Sequence, residues 1–114
     1  MVDVTLDVES SSGSPAAPGV LVKLQAETWE LNLWAPLADL ARLREVRDAD
    51  WAARRSLAIG TCAGAPVYWA MSGWGLRQAE VVILVGHDDE TWDVAVGIPL
   101  ATADEIASLA QRHL

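Results

Sequence analysis

Residues 80–99 read EVVILVGHDDETWDVAVGIP. Between Glu80 and Gly86 the chain is wholly apolar, the pattern of a central strand covered on both faces. His87-Asp88-Asp89-Glu90 follows as a polar turn, and then Trp92, Val94, Val96 and Ile98 alternate with Asp93, Ala95 and Gly97. Pro99 ends the second run, because it has no N–H to give to a ladder. Two such runs across a short polar turn predict an antiparallel hairpin. The alternation places Trp92 on the core side with Val94 and Val96.

Outward from this hairpin the period of two continues. Upstream, 66–72 alternates Val67, Trp69 and Met71 with Tyr68, Ala70 and Ser72, and 57–62 is a short apolar run beside glycines, so the second half reads as a meander. Val20, Val22 and Leu24, then Trp29, Leu31 and Leu33, predict a hairpin in the first half. Val2, Val4, Leu6 and Val8 alternate with Asp3, Thr5 and Asp7 as a half-buried strand. The Ser/Pro/Gly-rich stretch 9–19 is a flexible loop or linker, which makes 1–8 an edge strand or a detachable arm. Pro36 suits a first helical turn, and Leu37, Leu40, Ala41 and Leu43 recur at helical spacing to about Arg47. Thr102 and Glu105 form the Thr-x-x-Glu pattern of a capping box, opening a last helix that buries Ile106, Leu109 and Ala110. No internal repeat is visible. The expected fold is α+β: one domain over 1–114, a largely antiparallel sheet with a meander in its second half, and two helices packed on one face.

The composition narrows the function. The 114 residues carry a net charge of −8, and their pI is about 4.5. Nucleic acids are polyanions that need a basic stripe. The cluster Arg42, Arg44, Arg47, Arg54 and Arg55 is balanced by Glu45, Asp48 and Asp50. No nucleic-acid partner is therefore expected, and a basic protein partner fits the charge. Cys62 is the single cysteine, so no disulfide forms within the chain. The longest wholly apolar run, 81–85, is far short of a membrane span, and the N-terminus lacks the pattern of a signal peptide. A soluble cytoplasmic protein is expected, and the excess of Arg over Lys with abundant Ala suggests a GC-rich bacterial genome. There are six Trp, one Tyr and no Phe. Six Trp exceed the needs of a small core, which points to one or two of them on a binding surface.

Two stretches look like chemistry. Gly60-Thr61-Cys62-Ala63-Gly64 is a Gly-x-Cys-x-Gly pattern, the thiol form of a nucleophile elbow. It resembles the motif of class I glutamine amidotransferases, which implies Cys62 as nucleophile, His87 as base and Glu90 as its orienter. The residues around the motif point elsewhere: Pro66 and the alternation after it predict a strand where an elbow needs a helix, and Glu90 follows His87 at three residues where that family uses two. Cys62 is expected to be a buried, unreactive side chain beside a glycine turn.

The second stretch is the acid cluster of His87, Asp88, Asp89, Glu90 and Asp93. Dense carboxylates can hold a hard cation, but the glycine and terminal glutamate of a calcium loop are missing, and two His with one Cys do not make a zinc set. His113, with Arg112, suits the C-terminal end of a helix dipole. No phosphate-cradling glycine pattern occurs, so no metal and no cofactor are expected. Trp74, between Gly73 and Gly75, either folds over the core edge or is displayed in a binding loop. The candidate contact set is Trp74 and Trp92 as anchors, with Asp88, Asp89, Glu90 and Asp93 as the charge.

In size, charge and α+β meander the chain is similar to the small acidic immunity proteins that bacteria make beside secreted toxins. That resemblance implies a stoichiometric inhibitor covering a toxin's active site with acidic and aromatic side chains, and no enzymatic activity. Two other classes remain open at this point. One is a small amidotransferase-like or hydrolytic enzyme using Cys62. The other is a structural or regulatory module that assembles through its sheet edge.

Overall fold

Seven strands pair in chain order, each antiparallel to its neighbours, in one sheet β1-β2-β3-β4-β5-β6-β7. The computed structural model describes residues 2–7, 19–49, 55–71, 80–88 and 90–113. The strands are β1 Asp3–Asp7, β2 Gly19–Gln25, β3 Glu30–Pro36, β4 Leu57–Cys62, β5 Ala65–Met71, β6 Glu80–Gly86 and β7 Trp92–Pro99. A short helix α1, Leu37–Ala41, and a 3₁₀ segment, Arg42–Asp48, lie between β3 and β4; helix α2, Leu100–Arg112, follows β7. The α+β fold with its meander is as the alternation predicts, and the meander extends through the whole sheet.

One face of the sheet carries both helical segments. Val20, Val22 and Leu24 of β2, Leu31 and Leu33 of β3, Val67 and Trp69 of β5, and Val81, Ile83 and Val85 of β6 share a core with Leu40 and Leu43 and with Ala103, Ile106 and Ala110 of α2. Trp69 is fully buried, and its indole N–H donates to the Ile59 carbonyl at 2.9 Å, so the ring enters the core without an orphaned donor. Arg47 donates to both carboxylate oxygens of Asp104, at 3.2 and 2.9 Å, and Arg44 reaches Ser108 at 3.1 Å. Part of the arginine cluster thus ties the 3₁₀ segment to α2.

Several details differ from the sequence reading. The first helix is α-helical for five residues only and continues as 3₁₀. Its buried residues Leu37, Leu40, Leu43 and Val46 recur every three positions, and a 3₁₀ helix aligns i and i+3 on one side. The capping box is not formed. Helix α2 starts at Leu100 directly from Pro99, with φ −64°, no side chain caps it, and Thr102 lies buried inside the first turn. The β3–α1 junction is built alike, with Pro36 at φ −64°. β1 is an edge strand rather than an arm, with Val4 and Leu6 packed on the core. Of the stretch 9–19, Gly19 opens β2 and residues 9–18 lie outside the described residues.

Among the described residues the sheet contains two bulges. From Ala58↔Tyr68 to Thr61↔Pro66, β4 advances three residues while β5 advances two. The extra residue is Gly60, at φ +86°, and it resets the alternation so that Ile59 and Cys62 both lie on the core side. A Cβ on Gly60 would sit 2.7 Å from the Trp34 carbonyl oxygen, which is where β3 and β4 meet through the pair Trp34↔Thr61. The second bulge falls between Val85↔Val94 and Gly86↔Trp92, with Asp93 as the extra residue. This corrects the expected alternation in β7: Trp92 turns to the face opposite the described helices, away from the side of Val94 and Val96.

Candidate functional site

The face of the sheet opposite the described helices has two unlike halves. On β1–β3 it is mostly polar: Asp3, Thr5, Asp7, Lys23, Gln25, Glu30 and Asn32 are exposed there, with Leu21 exposed among them. Lys23 pairs with Glu30 at 3.5 Å, and Asn32 donates to Glu30 at 2.9 Å. These contacts, the Asn32 hydrogen bond first, hold the Glu30 carboxyl below its usual range. Trp34 lies over Gly19, where any Cβ would collide with its ring, and its buried indole N–H has no hydrogen-bond partner among the described residues. On β5–β7 the same face is apolar: Ala70, Val82 and Leu84 form a second buried cluster, with Tyr68 and Trp92 packed against it.

At the end of that apolar half stands the β6–β7 turn. The His87 N–H donates to the Thr91 carbonyl at 3.0 Å. One oxygen of Asp88, Oδ1, accepts three hydrogen bonds: from the Glu90 N–H at 2.8 Å, the Thr91 N–H at 2.7 Å and the Thr91 hydroxyl at 2.8 Å. Such a side chain replaces a backbone partner in a turn, which is why Asp is favoured there. The bonds from Glu90 and Thr91, with His87 nearby, lower the Asp88 pKa from its ordinary value of 3.8. The Tyr68 hydroxyl reaches the His87 carbonyl at 3.4 Å, linking the turn to β5.

The candidate contact residues therefore divide. Asp88 is committed to the turn, Glu90 and the bulge residue Asp93 are exposed beside it, and Trp92 is half-buried against the second cluster. Trp74 and Asp89 lie outside the described residues. Sequence spacing could not show that Asp3 lines two open grooves, one of about 380 Å³ with Glu105 and one of about 390 Å³ with Glu27, because these acids are far apart along the chain. A third groove, of about 230 Å³, holds Glu45, Asp48 and Arg55. None of these three grooves brings a Cys or His to its carboxylates. Among the described residues, no group of three or more His, Cys, Asp or Glu is arranged to hold a metal ion.

Cys62 is half-buried and packed on the main core. It ends β4, Ala65 opposite it opens β5, and the two-residue loop Ala63-Gly64 joins them with φ +50° and +86°. This is the positive-φ pair of a type I′ hairpin turn. The Gly-x-Cys-x-Gly pattern is thus strand–turn–strand, and its glycines serve a bulge and a turn rather than a strand–turn–helix elbow.

No protein-family model matches the chain, and no curated protein or solved structure does either. Among the described residues, no helix is long and apolar enough to cross a membrane.

Proposed function

We propose that this chain is a stoichiometric protein-binding module for a basic partner, and that the β6–β7 tip is its contact. The supporting observation is the triple hydrogen bond to Asp88, which fixes the turn before any partner arrives and leaves Glu90 and Asp93 displayed beside half-exposed Trp92. A preorganised turn avoids the ordering cost that a loose acidic loop incurs on binding. The resemblance to immunity proteins supplies the partner class: a bacterial toxin whose active site is covered in the cytoplasm.

The test is affinity capture from native lysate followed by binding kinetics on the captured basic protein. Reversing Glu90 and Asp93 to Lys should slow association, and the effect should shrink with salt, since exposed charges are screened beyond about 10 Å at ordinary ionic strength. Trp92→Ala should mainly speed dissociation, by about 2 kcal/mol if it anchors the contact. Charge reversal without effect on association would remove the tip from the interface.

A further inference from the structure

We propose that β1 is the docking edge for an extended basic segment of a partner protein, which adds to the sheet as a strand and alternates apolar residues with Lys or Arg. An edge strand presents unpaired backbone N–H and C=O groups, and proteins guard it with charge, proline, bulges or cover. The two edges of this sheet are guarded by different means. β7 has the bulge at Asp93, the Glu80 carboxylate over Gly97, and Pro99 as its last residue. A bulge and a proline hinder any added strand, whatever its charge. β1 pairs with β2 in unbroken register over all five of its residues, and Asp3, Thr5 and Asp7 are exposed along it. Among the described residues its guard is carboxylate charge, and such a guard has a sign. A second copy pairing about Thr5 would set Asp3 against Asp7, and like charges directly opposite are destabilising, whereas opposite charges there stabilise. The edge therefore disfavours a second copy and favours a basic strand.

The core side of β1 is incompletely covered in the same place. Leu24 and Val22 on β2 are fully buried, whereas Val4 and Leu6, paired with them on β1, are only half-buried. Val2, Asp3 and Val4 share the groove of about 380 Å³ with Pro99, Ala101 and Glu105, where β7 leads into α2. Asp3 also lines the groove of about 390 Å³ that holds Glu27. Among the described residues neither groove is lined by Lys or Arg, and Lys23, opposite Thr5 on β2, is paired with Glu30 at 3.5 Å. Side chains alternate across a strand, so an added segment with period two sets its apolar residues along Val4 and Leu6 and its cations along Asp3 and Asp7. In such strand addition the backbone pairing gives affinity and the alternation gives specificity. β1 and the β6–β7 tip lie at opposite ends of the strand order, so this site stands apart from the tip contact.

The test is titration of the full chain with a synthetic peptide that alternates valine and lysine over about seven residues, long enough to span β1. Fluorescence anisotropy of the labelled peptide reads affinity, and amide hydrogen exchange of the chain reads location. Saturable binding that weakens as salt rises, with slowed exchange of β1 amides, is expected. Asp3→Lys with Asp7→Lys, both at exposed sites, should weaken binding by about tenfold or more. A peptide of the same composition with its lysines in one block should bind less tightly by a similar factor, and equal binding of the two peptides would overturn the proposal, since charge without strand addition would then suffice. So would protection of the β6–β7 turn without protection of β1, or no binding at about 1 mM peptide in low salt. Glu90→Lys with Asp93→Lys, the change that tests the tip, should leave peptide affinity within about twofold, so the two readings fail separately.

Discussion

The hairpins β4–β5 and β6–β7 share their parts and differ in how each is held. Both have a bulge, a tight turn and a tryptophan. In β4–β5 the extra residue is Gly60, the turn is Ala63-Gly64, and Trp69 is driven into the core with its N–H bonded to Ile59. In β6–β7 the extra residue is Asp93, the turn is gathered on one carboxylate oxygen of Asp88, and Trp92 falls on the other face, half-exposed. Both hairpins are anchored in the core, the first through Ile59 and Trp69 and the second through Val81, Ile83 and Ile98, and the second is held at its tip by Asp88 as well. Residues that resemble a nucleophile motif and a metal cluster are thus largely engaged in backbone geometry. The side chains that the proposed contact uses, Glu90 and Asp93, are exposed at the tip beside half-buried Trp92.

If the anchoring differs as described, Trp69→Ala should be the most damaging change, destabilising by about 3–5 kcal/mol in urea unfolding, as for other buried aromatic truncations. Trp92→Ala should cost less than half as much, and equal losses would break the comparison. Gly60→Ala should cost about 3 kcal/mol, adding backbone strain at φ +86° to the clash with the Trp34 carbonyl. Next in size is a pH effect confined to the second hairpin. The folded Asp88 pKa lies below its unfolded value near 3.8, so the stability it contributes is fully present above that pH. It is lost as pH falls through the lower folded value. Asp88→Asn should flatten this part of the acid limb of melting temperature against pH, and an unchanged acid limb would show that the turn is held otherwise. The smallest expected effect is a gain. Ala63 sits at φ +50°, where Asn is better tolerated, so Ala63→Asn should stabilise by about 0.5–1 kcal/mol in the same unfolding assay.

Period-two alternation showed each strand and the face of most side chains, because one face is packed under helices and cannot tolerate a slip. It could not show the bulges. One inserted residue at Asp93 reverses the facing of Trp92 without altering the letters around it, and Gly60 does the same service for Cys62. The 3₁₀ segment was legible in hindsight of geometry alone: the triplet spacing of Leu37, Leu40, Leu43 and Val46 is present in the sequence, but Leu37, Leu40 and Ala41 also satisfy an α-helical reading. Thr102 and Glu105 mimicked a cap, but the helix starts from Pro99, three residues before Thr102. At the candidate site, the acids of the tip were visible as a run, whereas the division of labour within it depends on which oxygen meets which N–H.

Strand order that equals chain order has a kinetic consequence. Every ladder among the described strands closes a loop between consecutive strands, and loop-closure entropy grows only slowly with length. A sheet of this kind should fold faster than a Greek key of equal size, since rates fall as contacts become less local. The exception is α2, which packs back on β1 at the other end of the chain. That junction joins the segments farthest apart in sequence and should form last, so substitutions there should accelerate unfolding while leaving the folding rate nearly untouched.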